Sequence, residues 1–454
     1  MFADKKHSSF FRSVGILVSG TVVAHGITAM AMPVLSRLYS PADFSLLAVF
    51  SGILSVISVA ACLRFDIAIT LPDNDIDAAN LLAIALGSAA AISLLLGVPC
   101  LLMAQKVSVL INQPNLKPYL WLLLPGVFLA ASYSAFQSWF VRHRQFGLIS
   151  TSRVGQSVGA AGAQVGLSFA SAGPLGLIVG YIVNSGAACI VFGCNLLRSK
   201  DKVWKTISIP RMRTMVETHQ RFPKYSTFEA LANSGAIHVP IILIAAAAVG
   251  PEAGYLTMGM YVLQAPVALI GTAIGQVYLS RAPEEHRAGQ LSKFTAEILG
   301  KLLIAGAGPL LFVGIVSPVA FPIVLGNEWI RAGQLVVWMT PWFIMQFITY
   351  PISMALHVTG RQRTAFMLQL FALLARVGAV WVVGSIATSK ITEAYAVSGF
   401  VIYSVYAVVV LHSVSIRKAE LSRCSWKSLP HIVSWIVLGS LTKIGLDTIK
   451  NAFL

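Results

Sequence analysis

Apolar residues in this chain fall into blocks of about twenty, long enough to fill a hydrocarbon core of ~30 Å, and most of the charge sits in the short segments between them. In lipid no water is available to satisfy a bare backbone, so each block must close its hydrogen bonds internally as a helix. A soluble helical protein would show one apolar stripe per helix, whereas segments 81–102 and 401–411 are apolar nearly all round. With 56% hydrophobic and 11% charged residues, the chain reads as an all-α polytopic membrane protein.

Apolar windows place spans near 13–36, 42–63, 79–104, 118–141, 148–171, 174–197, 225–249, 253–280, 296–325, 333–358, 364–387 and 392–414. A further stretch, 431–453, is interrupted by Lys443, Asp447 and Lys450 and reads equally as a thirteenth span or an interfacial helix. The basic segment 1–12 runs into the first apolar block with no evident cleavage site, so that block is read as a retained helix. Taking the N-terminus as cytoplasmic, 23 of the 33 Lys and Arg residues fall in inner segments and five in outer loops, the positive-inside pattern of twelve crossings. That asymmetry accounts for most of the formal charge of +16 and removes the need for nucleic acid as a partner. The five cysteines show no metal-ligand spacing and read as small packing residues.

The longest polar stretch divides the chain into an N-terminal lobe (1–197), a basic cytoplasmic linker (198–224), a C-terminal lobe (225–414) and a terminal segment (415–454). Pro41 with Asp43, and Pro251 with Glu252, each open a helix after a similar lead-in, which suggests two pseudo-symmetric six-helix lobes.

The run Pro33-Val-Leu-Ser-Arg-Leu-Tyr-Ser-Pro41-Ala-Asp-Phe44, followed by Leu63-Arg64-Phe-Asp66-Ile-Ala-Ile-Thr-Leu-Pro72, resembles the opening of bacterial Wzx-type polysaccharide flippases of the multidrug/oligosaccharidyl-lipid/polysaccharide exporter superfamily. Phe222-Pro-Lys-Tyr-Ser226 and Gln276-Val-Tyr-Leu-Ser-Arg281 resemble the same family. The resemblance implies a V-shaped, two-lobed transporter with a central cationic cavity in the cell inner membrane. It would move undecaprenyl pyrophosphate-linked sugar repeats of O-antigen, capsule or exopolysaccharide between leaflets, without a cofactor. A polysaccharide polymerase and a chain-length regulator would be its partners, beside the membrane lipids.

An ionisable group at mid-membrane costs at least ~2.5–3.5 kcal/mol, so such groups should face a wet cavity or a partner. Span 148–171 is rich in Ser, Gly and Gln and carries Arg153, Gln156 and Gln164; Gln164 lies about 20° and Ser157 about 40° from Arg153 around the helix. Gly155, Gly159 and Ala163 should let a neighbouring helix approach the same span. In span 364–387 and its lead-in, Gln362, Gln369 and Arg376 recur every seven residues on nearly one face. If the lobes are related, Arg153 and Arg376 occupy equivalent helices, and guanidinium groups suit pyrophosphate because they bind its oxygens through paired hydrogen bonds. The alternative is that both arginines pair internally or reach the headgroups.

Lys301 follows Glu297 and Lys293 at four-residue spacing, which a surface ion-pair ladder explains as well as a cavity does. Arg64 is either a membrane anchor or a partner for the diphosphate headgroup, with Asp66 beside it. Glu229 and Asn233, one helical turn apart with Tyr225 a turn earlier, are candidates for coupling to H+ or Na+; Glu229 is equally readable as a counter-charge to an arginine. Tyr133, Trp139, Trp338 and Trp342 read as interface anchors rather than sugar platforms, and Pro125, Pro240, Pro266, Pro309 and Pro341 as mid-helix kinks.

A drug or cation antiporter of the same superfamily should show a lumen dominated by carboxylates, and here one acid faces two arginines. A polytopic enzyme on lipid-linked sugars should carry a large outer catalytic loop, and the outer loops here are short. A structural scaffold would have no use for arginines in apolar spans. The chain therefore reads as a non-enzymatic flippase.

Overall fold

A computed structural model describes residues 2–170, 173–198, 203–248, 250–416 and 418–453. Every regular element among them is helical. Eleven helical stretches are long and apolar enough to cross a membrane, among them Pro41–Ala61, Asp75–Leu102, Phe222–Ala247 and Gln362–Ile386. Of the expected spans, 148–171 falls outside that set because polar side chains dilute helix Phe146–Phe169, which carries Arg153, while 253–280 corresponds to helices Glu252–Pro266 and Thr272–Arg287 joined by the π-turn Val267–Gly271.

Local chemistry sets where the helices begin. At Ser40, the backbone N–H and the hydroxyl both donate to Asp43 Oδ2, at 3.0 and 2.8 Å, and Asp43 N–H donates back to Ser40 Oγ at 3.3 Å. That reciprocal cap satisfies donors that a helix start leaves open. Asn74 caps the next long helix by accepting from Asp77 N–H at 2.7 Å, with Asp75 and Asp77 in the first turn.

The prolines act in different ways. Pro266 closes a helix immediately before the π-turn Val267–Gly271, and Pro309 follows the π-turn Leu303–Ala307. Pro240 and Pro341 lie inside regular helices. Pro125 is not mid-helix: it occupies the first turn of Leu123–Arg142, after the 3-10 helix Pro114–Leu122, where a missing N–H costs nothing.

Contacts divide the chain into two compact units, Met1–Tyr39 with Leu46–Ala246, and Ser40–Ser45 with Ala247–Leu454. The long helix Thr227–Ala247 thus groups with the first unit up to Ala246. Small residues set the closest crossings within each. In the first, Gly186 lies against the backbone of Leu129 and Ala130; in the second, Gly333 lies against the carbonyl of Ser317. Direct backbone contact of this kind draws membrane helices together without a hydrophobic driving force.

The terminal segment is one helix, Lys418–Phe453, in which 419–448 is apolar enough to span. Ser292 Oγ reaches Glu420 at 3.4 Å, Trp435 sits on Gly308 and edge-on to Phe312 at 5.8 Å, and Gly439 meets Phe312 and Ile315. The two helical stretches therefore run side by side in the same direction from 292 to 315. That geometry favours the spanning reading over a helix lying in the interface.

Candidate functional site

In the first unit, helix Pro41–Ala61 ends in two successive left-handed residues, Leu63 (φ 49°) and Arg64 (φ 59°). Neither is glycine, so the turn is strained. It aims the short helix Phe65–Ala68 into the protein, where Asp66 is 5% exposed. Asp66 Oδ2 accepts from Ser134 Oγ at 2.7 Å, while Asp66 Oδ1 and Arg64 Nε are buried without a hydrogen-bond partner. The same short helix packs on the π-turn Phe222–Ser226, so two of the segments that carry the family resemblance meet in space.

From that π-turn departs the helix that carries Glu229 and Asn233. Both are exposed, as is Tyr225 one turn earlier, so their shared face is open. Glu229 makes no ion pair among the described residues.

Helix Phe146–Phe169 packs along Phe2–Leu38 and Leu175–Gly186. Arg153, half-buried, donates from Nη1 to Thr21 Oγ1 at 2.6 Å. Its partner is a neutral hydroxyl. Gln156 is 5% exposed, with Nε2 buried and unpartnered. Gln164, further along, lies against Gly180, and its backbone carbonyl accepts from Tyr39 Oη at 2.5 Å. The polar stripe is thus shared between two neighbouring helices, with Arg153 on one and Gln164 on the other. The close approach expected along this span is absent at Gly155, where nothing lies within 4 Å of a Cβ, and present at Gly159, where a Cβ would stand 3.3 Å from Val183 Cγ1 of the facing helix. The tightest contacts are on the facing helix, where Gly176 and Gly180 accommodate Tyr39, Leu167, Gln164 and Ala160.

In the second unit, Arg376 is 3% exposed. Its guanidinium carbon stands 4.9 Å from the ring centre of Trp342, 5.7 Å from Tyr395 and 5.6 Å from Tyr403. Cation–π attraction is strongest where water is excluded, as in this aromatic box. Trp342 Nε1, Gln346 Oε1 and Thr349 Oγ1, along one helix face beside it, are buried without partners. Gln369, two turns before Arg376, is half-buried. Lys301 pairs with Glu297 at 2.7 Å, with the two side chains 63% and 61% exposed, the geometry of an ordinary surface ion pair.

Trp342 and Trp139 are not interface anchors, being 2% and 4% exposed; Trp338, 50% exposed, remains free to be one. Tyr133 stacks on Phe192 with ring centres 5.7 Å apart. Gln276 and Ser280 of the last resemblance segment have side chains outside the described residues.

Two ionic clusters escaped sequence reasoning. Asp75 accepts from Arg142 Nε at 2.9 Å and stands 3.6 Å from His143 Nε2, tying the start of Asp75–Leu102 to the end of Leu123–Arg142. Arg331 bridges Glu252 (3.1 and 3.3 Å) and Glu393 (2.8 Å), with Thr392 Oγ1 donating to Glu252 Oε2 at 2.9 Å. Glu252, Arg331 and Glu393 are 79 and 62 positions apart in sequence, so no local spacing signals the cluster.

This architecture is that of an all-α polytopic membrane protein. The lipid II flippase MurJ in an inward closed conformation superposes with a TM-score of 0.75 at 12% identity, over 95% of this chain and 98% of that one. The Vibrio cholerae MATE transporter VcmN, as a single-site mutant, superposes at 0.58 and 12% over 90% and 97%. An inward-facing multidrug resistance MATE family transporter of the MOP superfamily does so at 0.53 and 13% over 88% and 94%. At such identities the likeness is one of fold. No curated protein sequence matches the chain. Residues 34–334 match the family model described as polysaccharide biosynthesis protein, and the chain belongs to that family.

Proposed function

We propose that this protein is a flippase that carries undecaprenyl pyrophosphate-linked oligosaccharide repeat units across the cytoplasmic membrane by alternating access. Family membership supports a role in polysaccharide biosynthesis. The observation that carries the reading to this substrate is Arg153: a guanidinium inside a helix of the transmembrane bundle, held by a neutral threonine and without an ion pair among the described residues. Such a group costs at least ~2.5–3.5 kcal/mol at membrane depth, and an anionic guest would offset that cost. A diphosphate presents paired oxygens to that fork.

In this reading Arg153 and Arg376 contact the diphosphate at different stages, Arg376 leaving its aromatic box to do so. Arg64 meets the headgroup at entry, and Gln156, Gln164 and Gln369 offer hydrogen bonds to sugars. No covalent chemistry is required, and the lipid tail stays in the bilayer. Glu229 and Asn233, on an open helix face, are the candidates for coupling to H+ or Na+, with Asp66 as a further acid. The N-terminus is cytoplasmic, and a polymerase and a chain-length regulator take the product onward. MATE transporters share the fold, which keeps a drug or cation antiporter as the second reading.

Arg153→Ala and Arg376→Ala should each abolish export of the oligosaccharide while the protein still inserts, and Lys at either position should restore it in part. Normal surface polysaccharide in both alanine variants would remove the proposal. Glu229→Gln should make transport indifferent to the ion gradient; coupling that survives the change reduces Glu229 to a structural residue.

A further inference from the structure

Asn80 lies at the start of an apolar helix and is fully buried, an unusual place for an amide. Its groups are all used. Nδ2 donates to Ile76 O at 2.8 Å and to Thr206 O at 3.5 Å, and Oδ1 accepts from Ser208 N–H at 3.0 Å. The amide thereby clamps residues 206–208 against the end of Asp75–Leu102. Fourteen residues after Ser208 the next candidate span opens at Phe222, with Tyr225 and Phe228 71% and 65% exposed. Both ends of segment 209–221 are therefore pinned at the boundary of the membrane-spanning bundle.

Between the pins lies helix Ile209–Thr218, which follows extended Ser208 and has Pro210 in its first turn. Ile209, Met212 and Val216 share one face at positions i, i+3 and i+7. The protein leaves most of that face open: Met212 is half-buried, on a helix that packs on Asp75–Leu102, but no residue of the helix is fully buried, and Ile209 and Val216 are 83% and 39% exposed, with Ile207 before them at 39%. Residues 205–224 carry Lys205, Arg211, Arg213, Arg221 and Lys224 against one acid, Glu217, which pairs with Arg213 at 3.3 Å. A mostly uncovered apolar face beside basic side chains, held at membrane level, has the chemistry of a helix that lies in an anionic headgroup layer.

We propose that Ile209–Thr218 is a membrane-surface helix, with Ile209 and Val216 entering the headgroup boundary and Arg211, Arg213, Arg221 and Lys224 binding the phosphates of anionic phospholipid. Its occupant is the leaflet itself, a site distinct from any that handles the transported molecule. The buried Asn80 fixes the height at which the helix sits.

The test uses the full chain in nanodiscs of phosphatidylcholine alone or containing phosphatidylglycerol, with hydrogen exchange read at amides 209–218. Phosphatidylglycerol should slow exchange there about fivefold or more, the scale set by one basic side chain near an anionic surface. Neutralising Arg211, Arg213 and Arg221 together to Gln should remove the lipid-dependent slowing, while Ile209→Ser should weaken protection in both disc types. Exchange that is equal in the two lipids, or slowing that survives the triple substitution, overturns the proposal. Slowing that appears only when another protein is added assigns the face to that partner and overturns it too. These positions are exposed, so the variants should fold as the parent does, and circular dichroism confirms it.

Discussion

Arg331 shows what a single side chain contributes inside this bundle. It is 27% exposed at the side chain and neutralises Glu252 and Glu393, which are 18% and 9% exposed. Glu393 Oε2 is already buried without a hydrogen-bond partner, so the cluster has no slack. Arg331→Ala would leave two partly buried carboxylates facing each other, a loss of about 3 kcal/mol. The expected readout is a clear drop in the thermal midpoint of the purified chain. Replacing both acids by Gln in the Arg331→Ala background should recover part of it, because the uncompensated charge would be gone. An unchanged midpoint in Arg331→Ala would show the cluster to be energetically idle. Arg153, by contrast, donates to a neutral hydroxyl, and its removal should be felt in transport more than in stability.

Among elements, glycines divide into those at crossings and those facing open space. A Cβ on Gly186 would stand 2.5 Å from the carbonyl carbon of Leu129 and 2.7 Å from the nitrogen of Ala130. Backbone cannot yield as a side chain does, so Gly186→Ala must push two helices apart at a cost of roughly 1–3 kcal/mol. Gly155→Ala, with nothing within 4 Å, should be neutral or slightly stabilising through its better helix propensity. Thermal midpoints of the two variants would decide the matter, and equal values would contradict the packing described for Leu175–Gly186. The sequence pattern marked Gly155 and Gly159 of helix Phe146–Phe169 as an approach surface; the structure uses Gly159, leaves Gly155 open and puts the tightest contacts on the neighbour's Gly176 and Gly180. Small-residue spacing tells that a close approach is allowed, and only the facing helix determines whether it is used.

At the scale of the whole molecule, adding helix Phe146–Phe169 and the region of helices Glu252–Pro266 and Thr272–Arg287 to the eleven apolar candidates gives thirteen candidate crossings among the described residues, the last being Ala419–Thr448. An odd number puts the two termini on opposite sides of the membrane. Reporter fusions at the N- and C-termini should accordingly be active in opposite compartments; two fusions active on the same side would return Lys418–Phe453 to the interface. The parallel run of this helix beside 292–315 is the reason for the expectation, since a neighbour of a spanning helix shares its direction.

The spans were legible from residue order alone, because filling a hydrocarbon layer demands an apolar block whatever its neighbours are. The helix starts at Pro41 and Asp43, and the Lys301–Glu297 pair, were legible too, since capping and i, i+4 pairing act within one helix. Tertiary structure alone decided the box of Trp342, Tyr395 and Tyr403 around Arg376, the bridge of Arg331 to two distant acids, and the clamp that Asn80 places on the linker. Each joins residues from separate helices, and a helix's own periodicity states which side chains share a face without stating what that face will meet.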